Sequence, residues 1–502
     1  MLRITNTENG LVRGLPAADP RITSFKGIPF AAPPISENRW RAPQPAENWE
    51  GVRNCFEFAP ISVQDTPGIG DDIYCREWNV DPDIPMSEDC LYLNVWTNAK
   101  STNERKPVLV WFFGGAFQWG YTAEMEFDGE RLARRDIVVV TVNYRLGALG
   151  FLCHPQLTKE QPDAPCNFGC LDQQAGLRWV RRNIANFGGD PDDITIAGQS
   201  AGGASVMAQM ACMDNKGDFK RAVVMSGMFG SPYVVNEFFL PQSPEQAGKK
   251  GERLFEYLGV STLEEARKLD ADYIRSKYSE LRNNGEMFFT IVQDGKFCTQ
   301  DPMKAFKEGN RIRVPVMGGN TGDEFMEFIH AAYDDELAIK ANEYFGSRAE
   351  EFLALPEARI RTDLGYSPVS SPELGIKDAF LGENKLDSPQ NCYYYRFISD
   401  IPGDDNAGTF HSVDLWFFFE TLAKCTRPFV GRHYDLARQM CDYWANFIKT
   451  GDPNGFDING NKLSQWKPYT DTERNEMLFT SDGAKASYEQ NGFVKFLLGE
   501  MK

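Results

Sequence analysis

The stretch ITIAGQSAGGASVM, residues 194–207, sets a serine among glycines directly after a β-branched run. Gly198-Gln199-Ser200-Ala201-Gly202 fits the G-x-S-x-G pattern of a strand–turn–helix corner that exposes a serine hydroxyl. The chemistry this pattern serves is nucleophilic attack. Such a serine sits in a strained backbone conformation, and side chains two positions either side would collide with strand and helix. Glycines at 198 and 202 avoid that collision. The helix that follows would point its N–H groups and partial positive charge at a developing oxyanion, with the Ala201 N–H first among them. An ordinary glycine turn reads the same way, so the other parts of a site must decide.

A serine hydroxyl needs a base, usually histidine, oriented by a carboxylate. The chain has four histidines. His154 follows GFLC and reads as structural, His330 lies on an apolar helical stretch, and His433 opens a helix. His411 sits on a small-residue loop before an aromatic run, which is the placement a base needs. For the acid, VPVMGGNTGDEF puts Asp323 and Glu324 just past a buried strand, at its carboxyl end, where open α/β sheets place their sites. The order Ser200, Glu324, His411 is that of the α/β-hydrolase fold. WFFGGAFQWG ends a strand at Gly114, Gly115 and Ala116, whose small side chains let backbone amides approach a substrate oxygen.

These residues need a scaffold. Apolar runs at 107–115, 136–145, 194–200, 221–227, 314–320 and 392–398 end in glycine or polar turns. Nearly continuous apolar character marks strands buried on both faces, as in a parallel sheet with helices on each side. Leu177, Val180 and Ile184 share one helical face within 171–186. Leu436, Met440, Tyr443 and Phe447 share another, on a helix that stops at TGDPNG. Ser261 with Glu264 reads as a capping box before LEEARKL. Residues about 230–310 and 330–390 are helix-rich and are expected to cap or flank the sheet. No linker, repeat or low-complexity tract divides the 502 residues, so a single domain spanning 1–502 is expected.

Composition narrows the partners. Lys and Arg number 53 against 71 Asp and Glu, a net charge of −18. Such a surface repels phosphate backbones and anionic bilayers, which argues against nucleic acid and membranes as partners. The polar start and the lack of a long apolar run point to a cytoplasmic protein. The eleven cysteines show no metal spacing, and their odd number leaves at least one thiol free. Cys153, Cys212 and Cys441 read as buried small hydrophobes.

Longer motifs now carry a resemblance. FGGDPDDITIAGQSAGG (187–203) and SEDCLYLNVW (87–96) resemble the two signatures of the type-B carboxylesterase/cholinesterase family, more closely its bacterial para-nitrobenzyl-esterase-like members. FKGIPFAAPP, VTVNYRLGALGF, NFGCLDQQAGLRWV and FHSVDL extend the likeness over most of the chain. The resemblance implies an α/β-hydrolase fold with a large, mostly parallel central sheet, flanking helices and helical insertions. It implies Ser200 as nucleophile, Glu324 as acid, His411 as base, and the amides of Gly115, Ala116 and Ala201 as oxyanion donors. Asp323 precedes the acid without a catalytic role. Arg39 with Glu88 and Arg145 with Asp172 match structural ion pairs, and Ser226 matches a serine behind the triad.

There are departures from the family pattern. Ala116 replaces a glycine, which is tolerable because only its N–H is used. Gln199 stands where many relatives have Glu, which weakens the case for cationic choline esters. Phe113 stands where esterases often have His or Tyr. Cys90 belongs to the second signature, yet Cys75 and Cys55 lie at spacings unlike the cholinesterase disulfide. Trp78, nine residues before SEDC, approximates a gorge aromatic at a different spacing. The implied activity is hydrolysis of small to medium uncharged or aromatic esters through an acyl-enzyme on Ser200, with no metal or cofactor, by a monomer or homodimer. Phe117, Gln199, Phe229 and Trp416 are the expected pocket residues, although most aromatics near the motifs should be core. A carbohydrate or hydroxycinnamoyl esterase is the alternative, followed by a peptidase or acyltransferase and a non-catalytic scaffold or adhesion homologue.

Overall fold

The runs read as buried strands are buried strands, and the reason lies in what covers them. The computed structural model describes residues 1–229, 240–324, 334–355, 372–488 and 492–499. In chain order the strands are β1 Ile4–Thr7, β2 Gly10–Arg13, β3 Leu15–Pro16, β4 Thr23–Pro29, β5 Val52–Asn54, β6 Tyr92–Thr97, β7 Lys106–Phe112, β8 Val138–Val142, β9 Gly189–Gln199, β10 Arg221–Met225, β11 Val316–Thr321, β12 Cys392–Phe397, β13 Glu476–Thr480 and β14 Gly483–Ser487. A small sheet joins β1, β2 and β5. The large one has eleven strands in the order β14-β13-β12-β11-β10-β9-β7-β8-β6-β4-β3.

Its centre is parallel, with Val110 opposite Val140 on β8 and opposite Ile196 on β9. Both margins are antiparallel, through β13 with β14 and through β8, β6, β4 and β3.

Alternate strand residues face opposite layers. Leu109, Trp111, Val139, Ala197 and Val223 pack with Leu436, Met440, Trp444 and Phe447 of the helix Gly431–Thr450. Val108, Val110, Val140, Ile194 and Ile196 pack on the other side against Leu177 and Val180 of the helix Phe168–Asn183, with Ile184 beyond its end, and against Val206 and Met210 of the helix Ala201–Ala211. Burial on both faces is why these strands lack polar alternation. The helix-rich stretches are insertions on either side of β11. The first holds Pro244–Leu258, Leu263–Arg267, Ala271–Asn283 and Pro302–Glu308, and the second holds Asp334–Phe345, Ala349–Leu353 and Pro372–Asn384.

One cap falls a residue later than the pattern read. Thr262, not Ser261, caps the helix Leu263–Arg267, because Thr262 is the last residue with extended backbone. Its hydroxyl accepts from the Glu265 N–H, and Glu265 takes the N–H of Thr262 in return. All eleven cysteines are free thiols, so Cys90 is unpaired. Cys153, Cys212 and Cys441 are buried as expected. No helix among the described residues is long and apolar enough to cross a membrane.

Candidate active site

Ser200 stands between β9 and the helix Ala201–Ala211 with φ 57° and ψ −126°. Its N–H donates to the Met225 carbonyl at 2.9 Å and its carbonyl accepts from Ala204. A Cβ on Gly202 would lie 2.1 Å from the Phe112 carbonyl oxygen, and one on Gly198 would lie 2.3 Å from the Gly202 oxygen. Only glycine at both places lets the strand turn into the helix so sharply.

Left-handed non-glycine residues gather around this corner. Ala116, Phe117, Ser200, Ser226, Glu324 and Ser412 all have φ between 22° and 81°. Backbone strain of this kind persists only where surrounding structure enforces it, and it concentrates at functional sites.

Glu324 follows the end of β11. Its Oε1 accepts the Ser226 hydroxyl at 2.6 Å and the Thr321 N–H at 2.8 Å, and its Oε2 lies 2.5 Å from His411 Nδ1. The loops carrying Glu324 and His411 are themselves stitched together. Glu324 and Phe410 form a β-bridge. Next to it the Asp323 carboxylate accepts the Thr409 N–H at 2.6 Å and the Thr409 hydroxyl at 2.8 Å. Asp323 therefore holds the loops while Glu324 reaches the imidazole.

With Nδ1 facing the carboxylate, Nε2 is the nitrogen turned towards other groups, and the Gln199 side-chain nitrogen lies 3.2 Å from it. The other described histidines do different work. His154 caps the helix Pro155–Glu160 and stacks on Phe255, and His433 accepts the Val430 N–H beside Asp400. His330 lies outside the described residues.

The loop after β7 turns through Gly115 and Ala116. Among the described residues no hydrogen bond engages the N–H of either. Ala201 is the first residue of its helix, where the N–H has no carbonyl behind it. Side chains from afar fix this loop. Gln64 exchanges two hydrogen bonds with the Gly120 main chain, at 2.9 and 3.1 Å. The Gln118 amide donates to the Ala116 and Phe289 carbonyls and is held by the Tyr278 hydroxyl. Phe113 stacks on Tyr144 at 4.3 Å, and the Tyr144 hydroxyl donates to the Phe113 carbonyl.

Ser200, His411, Gly115, Ala116 and Ala201 all open onto one cavity of about 750 Å³. Of the expected pocket residues, Phe117, Gln199 and Phe229 line it, and so does Trp78. Trp416 does not. It is fully buried and packs on Trp78 at 5.6 Å, because Leu415, one residue earlier on the same short helix, takes the cavity-facing position.

Charged groups complete the walls. Arg282 stacks on Trp119 at 4.6 Å and pairs with Asp65. Near Glu324 and His411, Asp414 accepts the Tyr395 hydroxyl at 2.8 Å, and burial pushes its carboxyl up to about 7. Burial also lifts Glu124, on the cavity wall, to about 7. Gln64 and Gln118 escape a sequence reading because each acts across the fold, without a local motif; Asp414 lies within FHSVDL, but nothing in that stretch shows its partner Tyr395. The ion pairs implied by the resemblance are present, with Arg39–Glu88 at 2.6 Å and Arg145–Asp172 at 2.7 Å.

Nearly the whole chain is similar to known proteins. A family model described as "Carboxylesterase family" matches residues 2–363 and 378–496. The chain is 31% identical to a cholinesterase of Mus musculus, with 96% of this chain and 84% of that protein covered. It is 30% identical to a para-nitrobenzyl esterase of Bacillus subtilis, with coverages of 96% and 95%. Among solved structures, a PNB esterase superposes with a TM-score of 0.78 at 28% identity, covering 99% of this chain and all of that one. A carboxylesterase of Geobacillus stearothermophilus gives 0.74 at 28% identity, covering 99% of each chain. The large mixed sheet with flanking helices is the α/β-hydrolase fold of these neighbours.

Proposed function

Because this chain belongs to the carboxylesterase family and is a carboxylic ester hydrolase, we propose that it works by two-step acyl transfer on Ser200. His411 Nε2 takes the Ser200 proton as the hydroxyl oxygen attacks the ester carbonyl carbon. Glu324, held by Ser226 and the Thr321 N–H, fixes His411 with its proton on Nδ1 and balances the imidazolium. The amides of Gly115, Ala116 and Ala201 receive the negative charge that moves onto the carbonyl oxygen. His411 then protonates the leaving alcohol, and a water molecule activated by the same nitrogen releases the acid.

The observation that carries this reading is the convergence, on one cavity, of the strained serine corner and the Ser226–Glu324–His411 chain of hydrogen bonds. Phe117, Phe229 and Trp78 give that cavity an apolar, aromatic lining, which favours uncharged acyl or aryl groups. Gln199 presents a neutral amide beside the imidazole, so nothing at that position draws a quaternary ammonium to the serine. Eleven unpaired thiols suit a reducing compartment, and we read the enzyme as cytoplasmic, a monomer or homodimer, with residues 1–502 forming one domain.

The test is hydrolysis of para-nitrophenyl esters of rising acyl length by wild type and by Ser200→Ala, both checked for folding. Turnover that vanishes in the variant supports the reading, and the length profile sizes the acyl pocket. Methyl hydroxycinnamates and acetylated sugars in the same panel show whether a specialised plant-ester activity exceeds the general one. Folded wild type that turns over none of these esters would overturn the proposal.

A further inference from the structure

The cavity wall takes residues from the segment 65–79, among them Asp65, Ile69, Tyr74 and Trp78, far in sequence from the elbow, the acid and the base. Its short helix Ile73–Glu77 is capped by Asp72, whose carboxylate accepts the N–H groups of Tyr74 and Cys75 at 2.8 and 3.0 Å. From that helix and its C-terminal cap residue, Tyr74 and Trp78 touch the loop that carries His411, and Glu77 reaches it through Arg427. The Tyr74 hydroxyl donates to the His411 carbonyl at 2.9 Å, and the Ser412 side chain also reaches the phenol. Trp78 packs edge-on against Phe410 at 5.6 Å. Glu77 pairs at 2.7 Å with Arg427, whose guanidinium lies over the Phe410 ring and also binds Asp405.

This concentration of contacts has a mechanical meaning. The bridge from Glu324 fixes residue 410, and the next two residues must turn through the left-handed backbone of Ser412, at φ 81°. The His411 peptide lies between those constraints, and among the described residues the Tyr74 phenol donates to its carbonyl. We propose that Tyr74 is a positioning residue for His411, holding the main chain of the base from the cavity wall. The segment that shapes the substrate pocket thereby also sets the aim of the base. The inference rests on His411 being the base, as argued above.

Tyr74→Phe removes the hydroxyl and keeps the ring in the wall. One hydrogen bond lost at the base's own peptide corresponds to a roughly tenfold lower kcat, with KM within about twofold of wild type. Labelling of Ser200 by a fluorophosphonate, which also needs the base, slows by the same factor. Hydrogen exchange rises over 405–415 while the central strands keep their protection. Wild-type kcat in Tyr74→Phe, or a change confined to KM, overturns the positioning role and leaves the triad standing, with Ser200→Ala inactive beside it. A fall in Tm with exchange rising throughout the chain overturns it in favour of a folding role. Absence of turnover in wild type overturns the triad reading, and the positioning role with it.

Discussion

Removing the Ser226 hydroxyl tests the hydrogen-bond chain behind the base. Ser226 is fully buried, and its hydroxyl is one of two donors to Glu324 Oε1, the other being the Thr321 N–H at 2.8 Å. The opposite oxygen, Oε2, serves His411. Ser226→Ala keeps the Cβ and therefore the same backbone cost at φ 44°, so the change isolates the hydroxyl. A hydrogen bond to a charged acceptor is worth about 1.5–3 kcal/mol, and about 1.4 kcal/mol is a factor of ten in rate. If that energy holds the carboxylate in line with Nδ1, kcat/KM falls about 10- to 100-fold and KM stays near the wild-type value. The assay is initial rates on a para-nitrophenyl ester across a concentration series, with fluorophosphonate labelling of Ser200 as a substrate-independent measure of the same activation. A folded Ser226→Ala enzyme with kcat within twofold of wild type would refute the idea that Glu324 is oriented from behind.

Three further expectations concern the corner, the buried acid and the loop anchors. Gly202→Ala forces a Cβ to within 2.1 Å of the Phe112 carbonyl oxygen, a rigid backbone atom. The corner must shift, with about 1–3 kcal/mol of lost stability and at least about a hundredfold loss of kcat, read by thermal unfolding and ester turnover together. Asp414, at about 7 in the folded chain against about 3.9 unfolded, takes up a proton on folding between those values. Its contribution therefore makes stability fall as pH rises from about 4 to 7, by about 1.4 kcal/mol per pH unit. Asp414→Asn removes that slope and is relatively more stable at pH 8 than at pH 4, as urea unfolding at the two pH values checks; an unchanged slope counts against it. Asp172→Ala strands the buried Arg145 guanidinium, which pairs with it at 2.7 Å. Breaking such a pair costs about 3–5 kcal/mol, a loss expected in unfolding curves before any loss of kcat per folded molecule.

How far the sequence could be read depended on whether a feature was written locally. The serine corner was legible because three glycines, a serine and a β-branched run must be consecutive for the strand to turn. The central strands were legible because burial on both faces leaves a continuous apolar run. Where a reading depended on angular placement, one residue decided it. On the short helix at 415–418 the cavity side belongs to Leu415, and Trp416 turns into the core. The cap at 262 rather than 261 is the same kind of one-residue shift. The supports of the site were illegible for another reason. Gln64 bonds to Gly120 and Tyr74 to His411, across separations of 56 and 337 residues. No spacing rule links such partners, since only the folded sheet brings them together. Trp78 shows the middle case, in which an aromatic at an unusual spacing still reaches the cavity.

Catalysis through a covalent acyl group on Ser200 is read most simply from the intact mass of the enzyme quenched in acid during turnover of a slow aryl ester. A mass increase equal to the acyl group is expected, mapped to the peptide containing Ser200, present in wild type and absent in Ser200→Ala. Turnover without any acylated species when deacylation is rate-limiting, or an acyl group on another residue that persists in Ser200→Ala, would contradict it.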